Sequence, residues 1–165
     1  MGFDMSQIPT MTEDASAEFM TEALRSTGVI DADTMVAEVE HDRIGEGVGL
    51  MCELARLTLR YGGPAQGAPS SLILKVPSNL PANRGIGDHF RLYEREGRFY
   101  EHVGRSVGVR TPNCVFNHLD VDAGEFALLL EDRGGVDRAL DVAEGLLNAL
   151  RQPVALAGYD LAVLA

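Results

Sequence analysis

Lys75 is the only lysine among the 14 lysine and arginine residues of the chain, and it stands in the short apolar run SLILKV (71–76). In an extended strand successive side chains face opposite ways, so Ile73 and Lys75 share one side while Leu72, Leu74 and Val76 share the other. An ammonium so placed is a compact charge suited to phosphate; it would equally serve to guard a sheet edge. Glu96 is the second residue of interest. At about 100° per helical residue, Leu92, Glu96, Phe99 and Val103 form one stripe, with Tyr93 and Tyr100 beside it and Phe90 and Gly97 at its margin. Arg91, Glu94, Arg95, Arg98 and Glu101 fall on the opposite, wet side. A carboxylate inside an apolar face needs a cation, and at an effective dielectric near 20 the attraction at contact is about 4 kcal/mol. Either Lys75 meets it, or Glu96 reaches a sheet margin or an arginine. Third come Gly45, Gly47 and Gly49 in IGEGVGL. Such spacing lets a backbone fold closely over a phosphate and aim N–H groups at it; it also makes a plain hairpin with a flexible tip.

The elements that must position these groups follow from periodicity and punctuation. Residues 1–13 read as a disordered leader. Phe19, Met20, Ala23 and Leu24 share a helical face between about Ala15 and Thr27, with Gly28 as its stop. Strands are expected at about 35–44, from Leu50 to Tyr61 and at 71–76. PSNLPANRGIG reads as a loop, followed by a helix that Asp88 caps and Gly104 ends. Strands at about 113–119 and 125–131 flank the turn from Asp120 to Gly124 and form a hairpin. Val136, Leu140, Ala143, Leu147 and Leu150 recur at helical spacing until Pro153. That order implies an α+β fold: a five-stranded antiparallel sheet with helices on one side.

Composition narrows the class. The chain has 165 residues, 45% of them hydrophobic and 24% charged, which is ordinary for one globular domain. A formal net charge of −11 argues against a nucleic-acid partner, which needs clustered cations. No apolar run approaches the length of a membrane span, and the N-terminus lacks a basic region and an apolar core, so no membrane partner and a cytoplasmic location are expected. Cys52 and Cys114 have neither zinc-ligand spacing nor partners for a disulfide framework.

Glycine turn, strand lysine and helix glutamate, in this order, resemble the phosphate-handling half of a protein-kinase-like fold. The stretches IGEGVGLMCELARLTLRYGG, PSSLILKVPS, LYEREGRFYEHVG, VRTPNCVFN and FALLLEDR are similar to the N-terminal lobe of the aminoglycoside phosphotransferase family, over about Ala15 to Asp132. The resemblance implies a kinase-like N-lobe at 14–133 that binds ATP, with a divergent helical tail at 134–165. It implies that Gly45, Gly47 and Gly49 cover the phosphates, that Lys75 contacts the α- and β-phosphates, and that Glu96 holds Lys75. It further implies that the backbone around Leu130, Glu131 and Arg133 receives adenine.

The chain departs from that family at Arg133, where a leucine is expected, and beyond it no longer reads like the family. His118-Leu119-Asp120 is an H-x-D string, but it lies before the expected adenine site and no asparagine follows at catalytic-loop spacing. The resemblance therefore implies a lobe inactive alone, with Mg2+ engaged only once a C-terminal lobe, or a partner chain carrying one, is supplied. Two other readings stand beside it: a non-catalytic nucleotide-binding or protein-interaction module, and an unrelated α+β binding domain in which glycines, lysine and glutamate are structural.

Overall fold

The computed structural model describes residues 8–45, 51–104 and 111–134. Gly47, Gly49 and the helix expected at Val136–Leu150 lie outside the described residues, as does the tail from residue 135 onward.

Helix α1 (Ala17–Ser26) begins where the Ser16 hydroxyl accepts a hydrogen bond from the Phe19 amide at 3.1 Å and ends before Gly28, whose φ of +70° suits a residue without a Cβ. Five strands follow in the expected places: β1 (Met35–Ile44), β2 (Cys52–Gly62), β3 (Ser71–Pro77), β4 (Cys114–Asp120) and β5 (Glu125–Glu131). They form one antiparallel sheet in the order β1-β2-β3-β5-β4. The β4–β5 turn is closed by Asp120, whose carboxylate accepts from the amides of Asp122 and Ala123 at 3.0 and 2.9 Å, and by Gly124 at a φ of +68°.

Strand β3 is central and carries both cores. Leu72, Leu74 and Val76 pack with Ala55, Leu57 and Leu59 of β2 and with Phe19, Met20, Ala23 and Leu24 of α1. Ile73, on the other face, packs with Phe126, Leu128 and Leu130 of β5 and with Tyr93, Phe99 and Tyr100 from the opposite helix layer. Helices therefore cover both faces of the sheet, which corrects the one-sided arrangement expected. Alternation in β3 is apolar on both faces apart from Lys75, and such a strand has to be covered twice.

Two local expectations are also corrected. Residues 8–13 are packed rather than loose: Ile8, Pro9 and Thr12 are buried, and Thr12–Asp14 forms a 3₁₀ turn in which Asp14 accepts from the Met11 amide at 3.0 Å. PSNLPANRGIG is not all loop, because Pro81–His89 is helix α2, with Pro81 in its first turn. Asp88 lies in the last turn of α2 and caps nothing; the next helix, α3 (Leu92–His102), starts after Arg91. Arg91 breaks the two apart in the left-handed region, at φ +53°, a conformation that disfavours a side chain by about 1–2 kcal/mol. Asn83, Gly85 and Gly87 are poor helix formers, which hid α2 from a reading by propensity.

Candidate functional site

Lys75 sits inside the sheet, with Leu54 of β2 on one side and Leu128 of β5 on the other. It is not an edge residue. Its side chain leaves the sheet on the α3 face, and α3 brings Glu96 to meet it through the apolar stripe of Tyr93, Phe99 and Tyr100. Lys75 Nζ lies 2.7 Å from both Glu96 Oε1 and Oε2. The two side chains are only 13% and 11% exposed, so water does little to screen the attraction. Burial opposes the charged form of Lys75, but the field of Glu96, the Cys52 sulfur and the hydrogen bond that Lys75 donates to Glu96 outweigh it and hold the ammonium above its ordinary range. Around the pair, burial pushes the Cys52 thiol up to about 12, with Lys75 pulling the other way and Glu96 adding to the rise. Burial and then Glu96 also push the Tyr100 phenol up. The pair thus sits among groups that stay neutral at ordinary pH. An ammonium has three donors and Glu96 engages two directions of it, which leaves donor capacity for a third acceptor.

Glu94 is not on a wet side. It is 7% exposed, covered by Arg91 (Nε–Oε2, 2.7 Å) and Arg98 (Nε–Oε1, 2.8 Å). The hydrogen bond from Arg91, against the opposing effect of burial and with help from Arg98, holds its carboxyl below the usual range. Helical projection separates the sheet-facing side from the rest, but long arginine stems can bury a residue that faces away from the sheet.

Gly45 stands at the end of β1 with a φ of +74°, so the chain leaves the strand through a conformation that glycine favours. At the other end of the sheet, Leu130 is buried between Ile73 and Cys114, while Glu131 extends β5 by donating its amide to Asn113 O at 2.8 Å. Arg133, where the resemblance expects leucine, donates from Nη2 to Thr111 O at 2.9 Å and lies 3.3 Å from Glu131 through Nε. Lys75, Glu96 and Leu130 belong with the α3 face of the sheet, as does Ile44 just before Gly45. Ile44, Ile73 and Leu130 on that face are already 8%, 5% and 7% exposed.

Three residues that spacing did not single out hold this frame. Asp132 accepts from Arg56 Nε at 2.7 Å, Ser71 Oγ at 2.9 Å and the Gly134 amide at 2.9 Å, joining β2, β3 and the chain beyond β5. Glu53 accepts from the Asn79 amide at 3.1 Å and faces Arg43 Nη2 at 2.9 Å. Tyr93 donates to Met51 O at 2.6 Å. No sequence signal marks these bonds, since Arg56, Ser71, Asn79 and Met51 are distant along the chain from the residues they meet. His118-Leu119-Asp120 stays within the hairpin: His118 pairs with Glu125 at 3.1 Å and Asp120 serves the turn.

Two surface cavities lie elsewhere. One of about 650 Å³ runs beside β4 and is lined by Arg98, Tyr100, Thr111 and Asn117 among others; one of about 350 Å³ borders Ser71, Glu131 and Asp132. Neither is lined by Lys75 or Glu96. No group of three or more His, Cys, Asp or Glu able to hold a metal occurs among the described residues, and no helix among them is long and apolar enough to cross a membrane.

No family model, curated protein or solved structure matches this chain.

Proposed function

We propose that this chain is the ATP-binding lobe of a kinase-like small-molecule O-phosphotransferase, similar to the aminoglycoside phosphotransferase family, and that it does not turn over alone. The observation that carries this reading is the buried Lys75–Glu96 pair between a central strand and the helix layer beside it. In protein kinases a lysine on the third strand paired with a glutamate on the following helix layer positions the nucleotide phosphates. The sheet order and the position of Gly45 at the β1 exit support the same reading.

Lys75 would hold the α- and β-phosphates, kept in place by Glu96, beneath the turn that contains Gly45, Gly47 and Gly49. Adenine would lie toward Leu130, Glu131 and Arg133. The Glu131 and Gly134 amides are already committed, so the base would address the peptide groups between them. It would also have to displace whatever covers Ile73 and Leu130. Magnesium and the phosphate acceptor would be held by groups of a second lobe. His118 and Asp120 are engaged within their hairpin and supply no catalytic base.

Titration of the purified chain with MgATP tests this reading. Micromolar-to-millimolar binding is expected, with loss of about tenfold or more in Lys75→Met, and no ATP hydrolysis. Absence of binding overturns the nucleotide reading; magnesium-dependent turnover abolished by Lys75→Met overturns the inactivity. Helix α1 favours a second reading, a non-catalytic nucleotide-binding module. By closing the sheet face opposite Glu96 it gives the unit cores on both sides. Phosphate transfer on adding a C-terminal lobe from a relative would decide for the first.

A further inference from the structure

Resting on that nucleotide reading, we propose that Tyr93 is a positioning residue: through Met51 it ties the helix that carries Glu96 to the segment that follows Lys75, and so sets the grip of that pair on the polyphosphate end of a nucleotide. Tyr93 and Glu96 are three residues apart on α3 and therefore neighbours on one helix face. From there the Tyr93 hydroxyl donates to Met51 O at 2.6 Å. The same carbonyl accepts from the Ser78 amide at 3.1 Å, so Met51 is held at once by α3 and by the segment that follows Lys75 along the chain. Two residues further, Glu53 joins the Asn79 amide to Arg43 at the end of β1. The end of β1 and the start of β2 are thus fastened to the elements that carry Lys75 and Glu96.

The surroundings of Tyr93 fit this role. Its ring lies 5.5 Å from that of Phe126, and a Cβ at Gly87 would come within 2.5 Å of its outer atoms. Gly87 is needed because the ring occupies the space a side chain would fill. With one side on Phe126 and the other on bare backbone, the hydroxyl has little freedom except toward Met51. The link is short and enclosed, and it adds a directional bond where Ile44, Cys52 and Leu54 already pack with the apolar stripe of α3.

Tyr93→Phe keeps the ring and deletes the hydroxyl. Titrations with MgATP and with adenosine separate a grip on phosphate from general packing. Expected is a loss of about three- to tenfold in MgATP affinity, the worth of one neutral hydrogen bond, with adenosine affinity unchanged. Gly87→Ala, which pushes the ring away, is expected to show the same selective loss. Unchanged MgATP affinity, an equal loss for adenosine, or a Tyr93→Phe chain that does not fold overturns the assignment. If the unaltered chain binds no MgATP, or Lys75→Met binds it undiminished, the nucleotide reading fails and takes this one with it. Selective retention in Tyr93→Phe with loss in Lys75→Met removes only the role of Tyr93.

Discussion

Lys75 and Glu96 each lose hydration on leaving water, and each is tolerable where it stands only because of the other. Removing one partner of such a pair strands a buried charge, whereas replacing both by apolar groups of similar size is often neutral. Lys75→Met is therefore expected to lower the free energy of unfolding by about 3–5 kcal/mol, and Lys75→Met with Glu96→Leu to recover most of that loss. Urea unfolding of the two variants checks this; a double variant no more stable than the single one would show that the charges do not depend on each other. The sign with pH follows from the raised Lys75 value. The pair's contribution is complete below the ordinary lysine range and is lost as pH rises beyond it, where the unfolded chain gives up the proton first. This pair was legible in the sequence because one lysine and one misplaced acid on an apolar stripe had few other partners. Glu94 was not, since its burial comes from Arg91 and Arg98 folding over it rather than from the sheet.

Strand boundaries were readable for a similar reason: alternation in β2 and β3 and the Asp120–Gly124 turn are local signals. Helix α2 was not, because Gly85 and Gly87 lower its helix propensity, and Gly87 serves the neighbouring ring of Tyr93 rather than its own helix. Nor was the brace that joins the elements at the β5 exit, since Arg56, Ser71 and Asp132 are far apart in the chain. Burial disfavours the Asp132 carboxylate, but the bonds from Arg56, the Gly134 amide and Ser71 outweigh it and hold its pKa below the ordinary 3.8. A depressed acid stabilises the fold above its unfolded value and ceases to do so as pH falls through its folded one. Asp132→Ala is expected to destabilise the protein by about 2–3 kcal/mol at neutral pH, the range for a charged hydrogen bond left open. The gap between variant and parent should close below about pH 4. Parallel denaturation at neutral and acid pH measures it; a gap that stays constant would mean the brace contributes by packing rather than by charge.

Across the whole molecule, 25 acids face 14 lysines and arginines, for a formal net charge of −11. Part of the acid is paired on the outer strands: Arg60 lies 3.5 Å from Glu38 and 2.8 Å from Glu40, and Arg56 lies 3.8 Å from Asp42. The Arg60 pairs are exposed and the Arg56–Asp42 contact is long, so each is worth about 0–1 kcal/mol and screening them removes little. The unpaired excess is different, because every surplus acid repels every other over the whole surface. Between about 0.01 M and about 1 M salt the screening length shrinks from about 30 Å to about 3 Å. That weakens the long-range repulsion far more than the buried Lys75–Glu96 contact. Sodium chloride is therefore expected to raise the melting temperature, with most of the gain at the low end of that range. Scanning calorimetry across a chloride series reads the sign directly. A fall with salt would mean that attraction among exposed pairs, and not repulsion among surplus acids, governs the electrostatics of this fold.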